Sequence, residues 1–533
     1  MPFSFPHSPN HDSKAGVATP ATTKVMASLP SELIEQICSL LCFHCQHKGA
    51  FPTAESSDAR VSKTTLSHLC RVSRRICVVA QPFLFHYYTT DNLPRHHCST
   101  RAHVDEIPRE NDKLPEFLRS IINRPDLASQ VKTLQLVETD EISGCTPDLA
   151  QLLGKTTKTL GAAKHAPTQE YLQAKIWQGF SGQPQTLMRI QRRKIHHWLE
   201  ELAVLLSPSL ERLFIARDSF VHYEHIKDSG ASFPKLKMIA IRGVSKNQHV
   251  HEASVLFRAA PNLEILYSLQ CSLFDGLGPW TMAKPWILKL QSVRRLVLND
   301  IGLEDLELLV NCCPSLQQLE VLATKIHLTS GVSYWNVAKL LQALQPVRHK
   351  LRKLRLSCSP TQKHAEDSRL SVNEISWSFR QFDQLEELSF DQTAIESLSR
   401  TTSIEDNTAS DWSLIEMFPP SVRKVQILQV RKGFMKTLRR FSEDVYFALP
   451  YLRVVYVNLA EGTDKRDVGS NSIDCIESAF VSAGIQLHWA TSSPEEHALE
   501  MIPDVATEWK IELLPSIESR ILGTSRLAVQ QMG

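Results

Sequence analysis

The most reactive side chains cluster early in the chain. Cys42-Phe-His44-Cys45-Gln-His47 follows Cys38 by one helical turn, and thiolates and imidazoles at such spacings hold Zn²⁺ tetrahedrally in many proteins. The sequence supplies no second paired cluster of the kind that completes a zinc finger. The reading is therefore that Cys38 and Cys42 are small core residues of one helix, that His44 to His47 open a loop, and that neither a metal nor a cofactor is expected. His96-His97-Cys98 reads as a loop, and Cys312-Cys313 as the buried end of a helix, where cysteine packs as a small hydrophobe. No phosphate-binding glycine loop, Gly-x-Gly-x-x-Gly, His-Glu-x-x-His or Gly-x-Ser-x-Gly occurs. The expectation is a protein that binds rather than one that catalyses.

Charge and composition narrow what it binds. With 59 Lys and Arg against 57 Asp and Glu, the formal net charge is +2, so no global field draws the chain to nucleic acid or lipid. No stretch reaches the roughly 18 apolar residues of a membrane span. The twelve cysteines are scattered, and the N-terminus lacks the basic-then-apolar layout of a signal peptide. A cytoplasmic or nuclear setting and a protein partner are expected. At 533 residues the chain exceeds one ordinary core and implies several domains or a repeat array.

Residues 1–27 are rich in Pro, Ser, Thr and His without an apolar period, the composition of a disordered tail. The pattern then changes. In Leu29-Pro-Ser-Glu-Leu-Ile-Glu-Gln-Ile-Cys-Ser-Leu-Leu, apolar residues at Leu33, Ile34, Ile37, Leu40 and Leu41 make one helical stripe. After a polar stretch from His44 to Lys63, Thr64 or Thr65 caps a second predicted helix carrying Leu66, Leu69, Cys70 and Ser73, with Arg71, Arg74 and Arg75 towards water. A third apolar segment, Ile76 to Ala80, is expected to stop at Pro82. These blocks resemble the F-box, in the form found in fungal proteins: Leu-Pro, an acidic residue and aliphatics, then Leu-x-x-Val-Ser-Arg, then Pro and a Leu-aromatic pair. The resemblance covers residues 28–90. It implies a small helical domain that docks a Skp-type adaptor, and through it a cullin, with Leu29, Pro30, Leu33, Ile37, Leu66, Leu69, Val72, Ile76, Pro82, Leu84 and Phe85 at the contact. Two features depart from the family pattern: the first two helices are joined by a long link, and Phe85 stands where many members have Trp.

Residues 91–515 are organised by a repeat that needs no family knowledge. Ten copies of an apolar triplet have their second anchor at 134, 213, 239, 266, 296, 319, 354, 388, 425 and 455, and six copies open with a proline two residues before the first anchor. Apart from a first gap of 79, the spacings run from 23 to 37 residues, in or slightly above the leucine-rich-repeat range of about 20 to 29. The second and third anchors alternate as a strand with one buried face. Helical stretches lie between copies, clearest in Gly-Leu-Glu-Asp-Leu-Glu-Leu-Leu-Val, where Leu303, Leu306, Leu309 and Val310 share a stripe. The long first gap reads as an insertion at 137–207 whose part up to residue 190 is poorly periodic, followed by an amphipathic helix from Ile195. Residues 357–372 and 396–410 are shorter polar interruptions, Ile485 and Leu487 start a last strand, and residues 516–533 are a loose tail. The expected fold class is α/β: a small all-helical F-box followed by a leucine-rich-repeat-like curved solenoid of alternating strands and helices.

In such a solenoid the residues flanking the second anchor line the concave side. That face is expected to show Arg295, Lys353, Arg355 and Lys424 with Phe214, Tyr267 and Tyr456, a set suited to an acidic or phosphorylated peptide. Glu320 and Glu387 share the face, so an ordinary solvated sheet surface is the competing reading. The F-box resemblance and the repeats together imply a substrate-recognition subunit of a ubiquitin ligase that holds an unknown protein substrate. The alternative is a leucine-rich-repeat scaffold outside any ligase, with a degenerate F-box as its cap.

Overall fold

The structure, a computed structural model, describes residues 29–47, 57–89, 113–137, 146–165, 185–217, 223–243, 250–269, 271, 288–299, 303–322, 337–357, 378–392, 414–460 and 470–490. His96 to Cys98, the tails and the polar interruptions at 358–372 and 396–410 lie outside these residues.

The proline-marked triplet folds into the same piece of backbone each time. The amide of the first anchor donates to the carbonyl three residues earlier: Leu210 to Ser207, Leu236 to Phe233, Leu263 to Ala260, Leu316 to Cys313, Val422 to Pro419 and Leu452 to Leu449. Pro208, Pro234, Pro261, Pro314, Pro420 and Pro450 thus occupy the second position of a turn, where the ring's fixed φ is already correct. A strand follows each turn.

All ten copies fall on strands, and a strand precedes and follows them: β1 (Tyr87–Thr89), β2 (Thr133–Val137), β3 (Arg212–Arg217), β4 (Met238–Gly243), β5 (Ile265–Leu269), β6 (Arg295–Asn299), β7 (Gln318–Leu322), β8 (Lys353–Ser357), β9 (Glu387–Asp391), β10 (Lys424–Val430), β11 (Val454–Leu459) and β12 (Gln486–Ala490). They form one open parallel sheet in sequence order. The second anchors stand in register from strand to strand: Tyr88, Leu134, Leu213, Ile239, Leu266, Leu296, Leu319, Leu354, Leu388, Val425, Val455 and Leu487. Parallel pairing requires a crossover between strands. Helices supply many of these and bury their apolar stripes on the anchor face, so that one continuous core runs the length of the sheet.

Four helices precede the sheet: α1 (Ser31–Leu41), α2 (Phe43–Gln46), α3 (Ser57–Val72) and α4 (Arg74–Phe85). They have their own small core of Ile34, Cys38, Cys42, Leu66, Ile76 and Ala80. Two boundaries differ from expectation. The second helix starts at Ser57 rather than at Thr64 or Thr65, and Ser73 belongs to the next helix, where its hydroxyl accepts from the Ile76 amide at 3.2 Å. That helix also runs through Pro82 to Phe85. Pro82 has no amide to offer the Val78 carbonyl, which stands at a 73% exposed position, while Phe83 and Leu84 gain burial against the helical core.

Across the first gap β2 pairs directly with β3, so the gap is an insertion that places no strand between those two. The insertion is more ordered than its sequence suggests. The helix that includes Ile195 starts at Gln185, and a helix over Pro147–Thr159, capped by the Thr146 hydroxyl on the Leu149 amide at 3.4 Å, buries Leu149 and Leu153. Among the described residues no helix is long and apolar enough to cross a membrane.

Candidate functional site

Two surfaces follow from these elements, and the first is the outer side of the helical unit. On α1 the inward stripe is Ile34 and Cys38, continued by Cys42 just past its end, which leaves Leu33 44% and Leu40 67% exposed. Val72 at the end of α3 is 40% exposed, and Val61 and Val78 are more so. Pro30 is exposed, whereas Leu29, Ile37, Leu69, Pro82 and Leu84 are half-buried. Leu66 and Ile76, expected at a partner contact, are fully buried and instead hold the helices to one another. Phe85 also points elsewhere: its ring stacks on Phe117, 6.2 Å between centroids, and packs against the main core under the sheet. Arg71, Arg74 and Arg75 are exposed, and Arg75 donates to the Leu29 carbonyl at 2.7 Å, joining the two ends of the motif.

The second surface is the sheet face opposite the helices, and it divides in two. Over β3 to β6, Phe214, Ala216, Met238, Ala240, Tyr267 and Val297 form a separate apolar cluster. Phe214 and Tyr267 are fully buried there, which corrects their expected place on an open surface. The signal was present in the runs Leu-Phe-Ile-Ala and Met-Ile-Ala-Ile, since a strand buried on both faces is apolar throughout rather than alternating.

Over β6 to β12 the face is polar and its charges are matched. Nε and Nη2 of Arg295 donate to Glu320 at 3.1 and 2.7 Å, and Lys353 pairs with Glu387 at 2.7 Å. Lys424 lies over the Tyr456 ring, 5.0 Å from its centroid, and Tyr456 stacks on His488. The basic set is therefore not a single-sign patch. In line with Glu320 and Tyr456 runs a buried polar row on the same face, Arg355, Ser389 and Gln426, with Asp391 and Asn458 at the strand ends. The Ser389 hydroxyl donates to Gln426 Oε1 at 3.0 Å. Burial pushes the Arg355 guanidinium below its usual range, an effect opposed by the charges of Glu320 and Asp391, and its Nε has no hydrogen-bond partner. Both side-chain polar atoms of Asn458 are likewise buried without a partner. At the end of β10 a register shift places Gln429 at φ 55°, in the left-handed region, and the Arg431 amide reaches Gln392 Oε1 at 2.7 Å. Buried polar atoms without a partner and a left-handed glutamine thus gather at this end of the face.

One cluster of metal-ligating side chains occurs among the described residues: Cys42, Cys45 and His86. Cys42 joins α1 to α2, and Cys45 lies on α2, a short helix in place of the loop expected from His44 to His47; His86 lies 41 residues beyond Cys45 in sequence and arrives from the end of α4. Hydrogen bonding to Cys42, then to His86, holds Cys45 down at about 4 against the effect of burial, and the same bond followed by burial pushes Cys42 far up. His44 is kept neutral, first by burial and then by the charge of Arg212. Cys312 and Cys313 pack at the end of a repeat helix, where burial raises both thiols.

Comparison with known proteins leaves these surfaces to be read from their own chemistry: no protein-family model matches the chain, and no curated protein matches it.

Proposed function

We propose that the chain is a substrate-recognition subunit of a Skp-cullin-F-box ubiquitin ligase, its helical unit docking a Skp-type adaptor and its repeats holding a protein substrate in a cytoplasmic or nuclear setting. The supporting observation is the solvent-facing apolar set Leu33, Leu40, Val72 and Val78 on a unit whose inward stripes are already satisfied by one another. A thin helical core that leaves large aliphatics in water fits a docking role, and these residues lie within the sequence blocks that resemble an F-box. Substrate recognition falls to the polar end of the sheet face around Lys353, Lys424 and Tyr456, beside the buried Arg355 and Asn458, and catalysis to other subunits.

The test is co-purification. Each large aliphatic buried at an interface contributes about 1.5 to 3 kcal/mol, so Leu33→Asp with Leu40→Asp should weaken adaptor binding by about two to four orders of magnitude. Circular dichroism and melting temperature should stay near wild type, because both positions face water. Undiminished recovery of adaptor and cullin with the double variant sinks the proposal.

A second reading, a repeat scaffold outside any ligase, is favoured by one observation. The chain leaves α4 straight into β1, and Tyr88 and Phe85 pack on Phe117 of the following helix (Leu114–Asn123). A helical unit placed this way also seals the first edge of the sheet. Under that reading the same purification recovers partners but no cullin.

A further inference from the structure

We propose that Cys42, Cys45 and His86 bind a zinc ion that fastens the helical unit to the first strands of the sheet. Nδ1 of His86 lies 3.5 Å from both Sγ atoms, and the three ligand atoms fall within 4.8 Å of one another. A tetrahedron built on Zn–S of about 2.3 Å and Zn–N of about 2.05 Å has an S···N edge of about 3.6 Å. Both observed edges match it.

The backbone holds the ligands in place. Cys42 is extended between α1 and α2, and the Cys45 amide donates to the Cys42 carbonyl at 3.0 Å, closing the Cys-x-x-Cys turn so that the two sulfurs lie side by side. The His86 amide donates to Phe83, while its carbonyl receives the Lys132 and Thr133 amides at 3.0 and 2.9 Å, so the residue is pinned against the start of β2. Arg212, on β3, donates to the His44 and His47 carbonyls at 3.0 and 2.6 Å and so braces the turn from outside. A guanidinium beside the turn also favours thiolates over thiols.

The donor set selects the metal class. Two thiolates and an imidazole suit zinc, and oxygen-loving Mg²⁺ and Ca²⁺ are excluded. His44 is not a ligand: its Nδ1 meets the Thr133 hydroxyl at 2.9 Å and its Nε2 faces Glu211 at 3.5 Å. Among the described residues no fourth ligand joins the cluster. Any thiol proton still present leaves when the ion binds, so affinity rises with pH. The site faces the sheet, away from Leu33 and Leu40, and stands or falls independently of adaptor docking.

The full-length chain, purified under reducing conditions, should carry about one equivalent of zinc by elemental analysis. After chelation, titration with Co²⁺ should restore one equivalent and give the thiolate charge-transfer and intense visible bands of a tetrahedral site. Cys42→Ser with Cys45→Ser, and separately His86→Gln, should lose both signals, whereas Cys475→Ser at an exposed helix position should keep them. The Co²⁺ spectrum of the unsubstituted chain is decisive even if the variants fail to fold. Absence of those bands overturns the proposal, as does a Cys42–Cys45 disulfide whose reduction restores no metal binding. Undiminished zinc in the double cysteine variant overturns it equally.

Discussion

Leu296 is the side chain through which the stacked architecture can be tested most directly. It is fully buried at the centre of the anchor row, with Leu266 on one side and Leu319 on the other. Leu296→Ala removes three carbons, about 2.4 kcal/mol at about 0.8 kcal/mol each, and the unfilled volume raises the total to about 3 to 4 kcal/mol. In a stack where each unit touches only its neighbours, that loss should remain local. Hydrogen exchange read by mass spectrometry should show β5, β6 and β7 opening about two orders of magnitude more often, with β10 and β11 nearly unchanged. An even drop in protection along the whole sheet would rule out this local response, as would a loss at β6 of under about 1 kcal/mol.

Two further outcomes follow from buried polar groups. Asn458→Leu should raise stability by about 1 kcal/mol, because it removes two buried polar atoms that have no partner; a lower melting temperature would count against the reading of that end of the sheet. Cys38 gives a pH signature. Burial, then the charge of Glu35, raises its thiol to about 11, so the folded chain keeps a proton that the unfolded chain releases near 9. Its contribution is intact below pH 9 and is lost as pH rises through 11, a fall of about 2 kcal/mol. Urea denaturation of wild type and Cys38→Ala across pH 8 to 11 should therefore converge by that amount, and parallel curves would refute it.

The ten repeat strands were legible because each buries the same triplet in the same turn, so a weak local signal recurs until chance is excluded. β1 was missed because Tyr87–Thr89 is three residues long and follows a helix without its own turn. The Pro147–Thr159 helix was missed because its buried face is only Leu149, Ala150 and Leu153 in an otherwise polar stretch. Surface position was harder than strand position. Alternation identifies which residues point away from the helices, as with Phe214 and Tyr267, but not whether that face meets water. The Cys-x-x-Cys turn was visible, yet no spacing rule links it to His86, because the folding of α3 and α4 brings that residue back.

The unbroken neighbour-to-neighbour order of the sheet also has a mechanical meaning. Among the described residues no strand skips a neighbour and no edge closes on another, so a pull on the two ends meets the units in series. Each unit from β3 to β11, 23 to 37 residues long, that peels away releases about 80 to 130 Å of extended chain. The molecule should therefore lengthen as a sawtooth of small yields, and behave as a compliant tether where a closed barrel under the same load would break in one event.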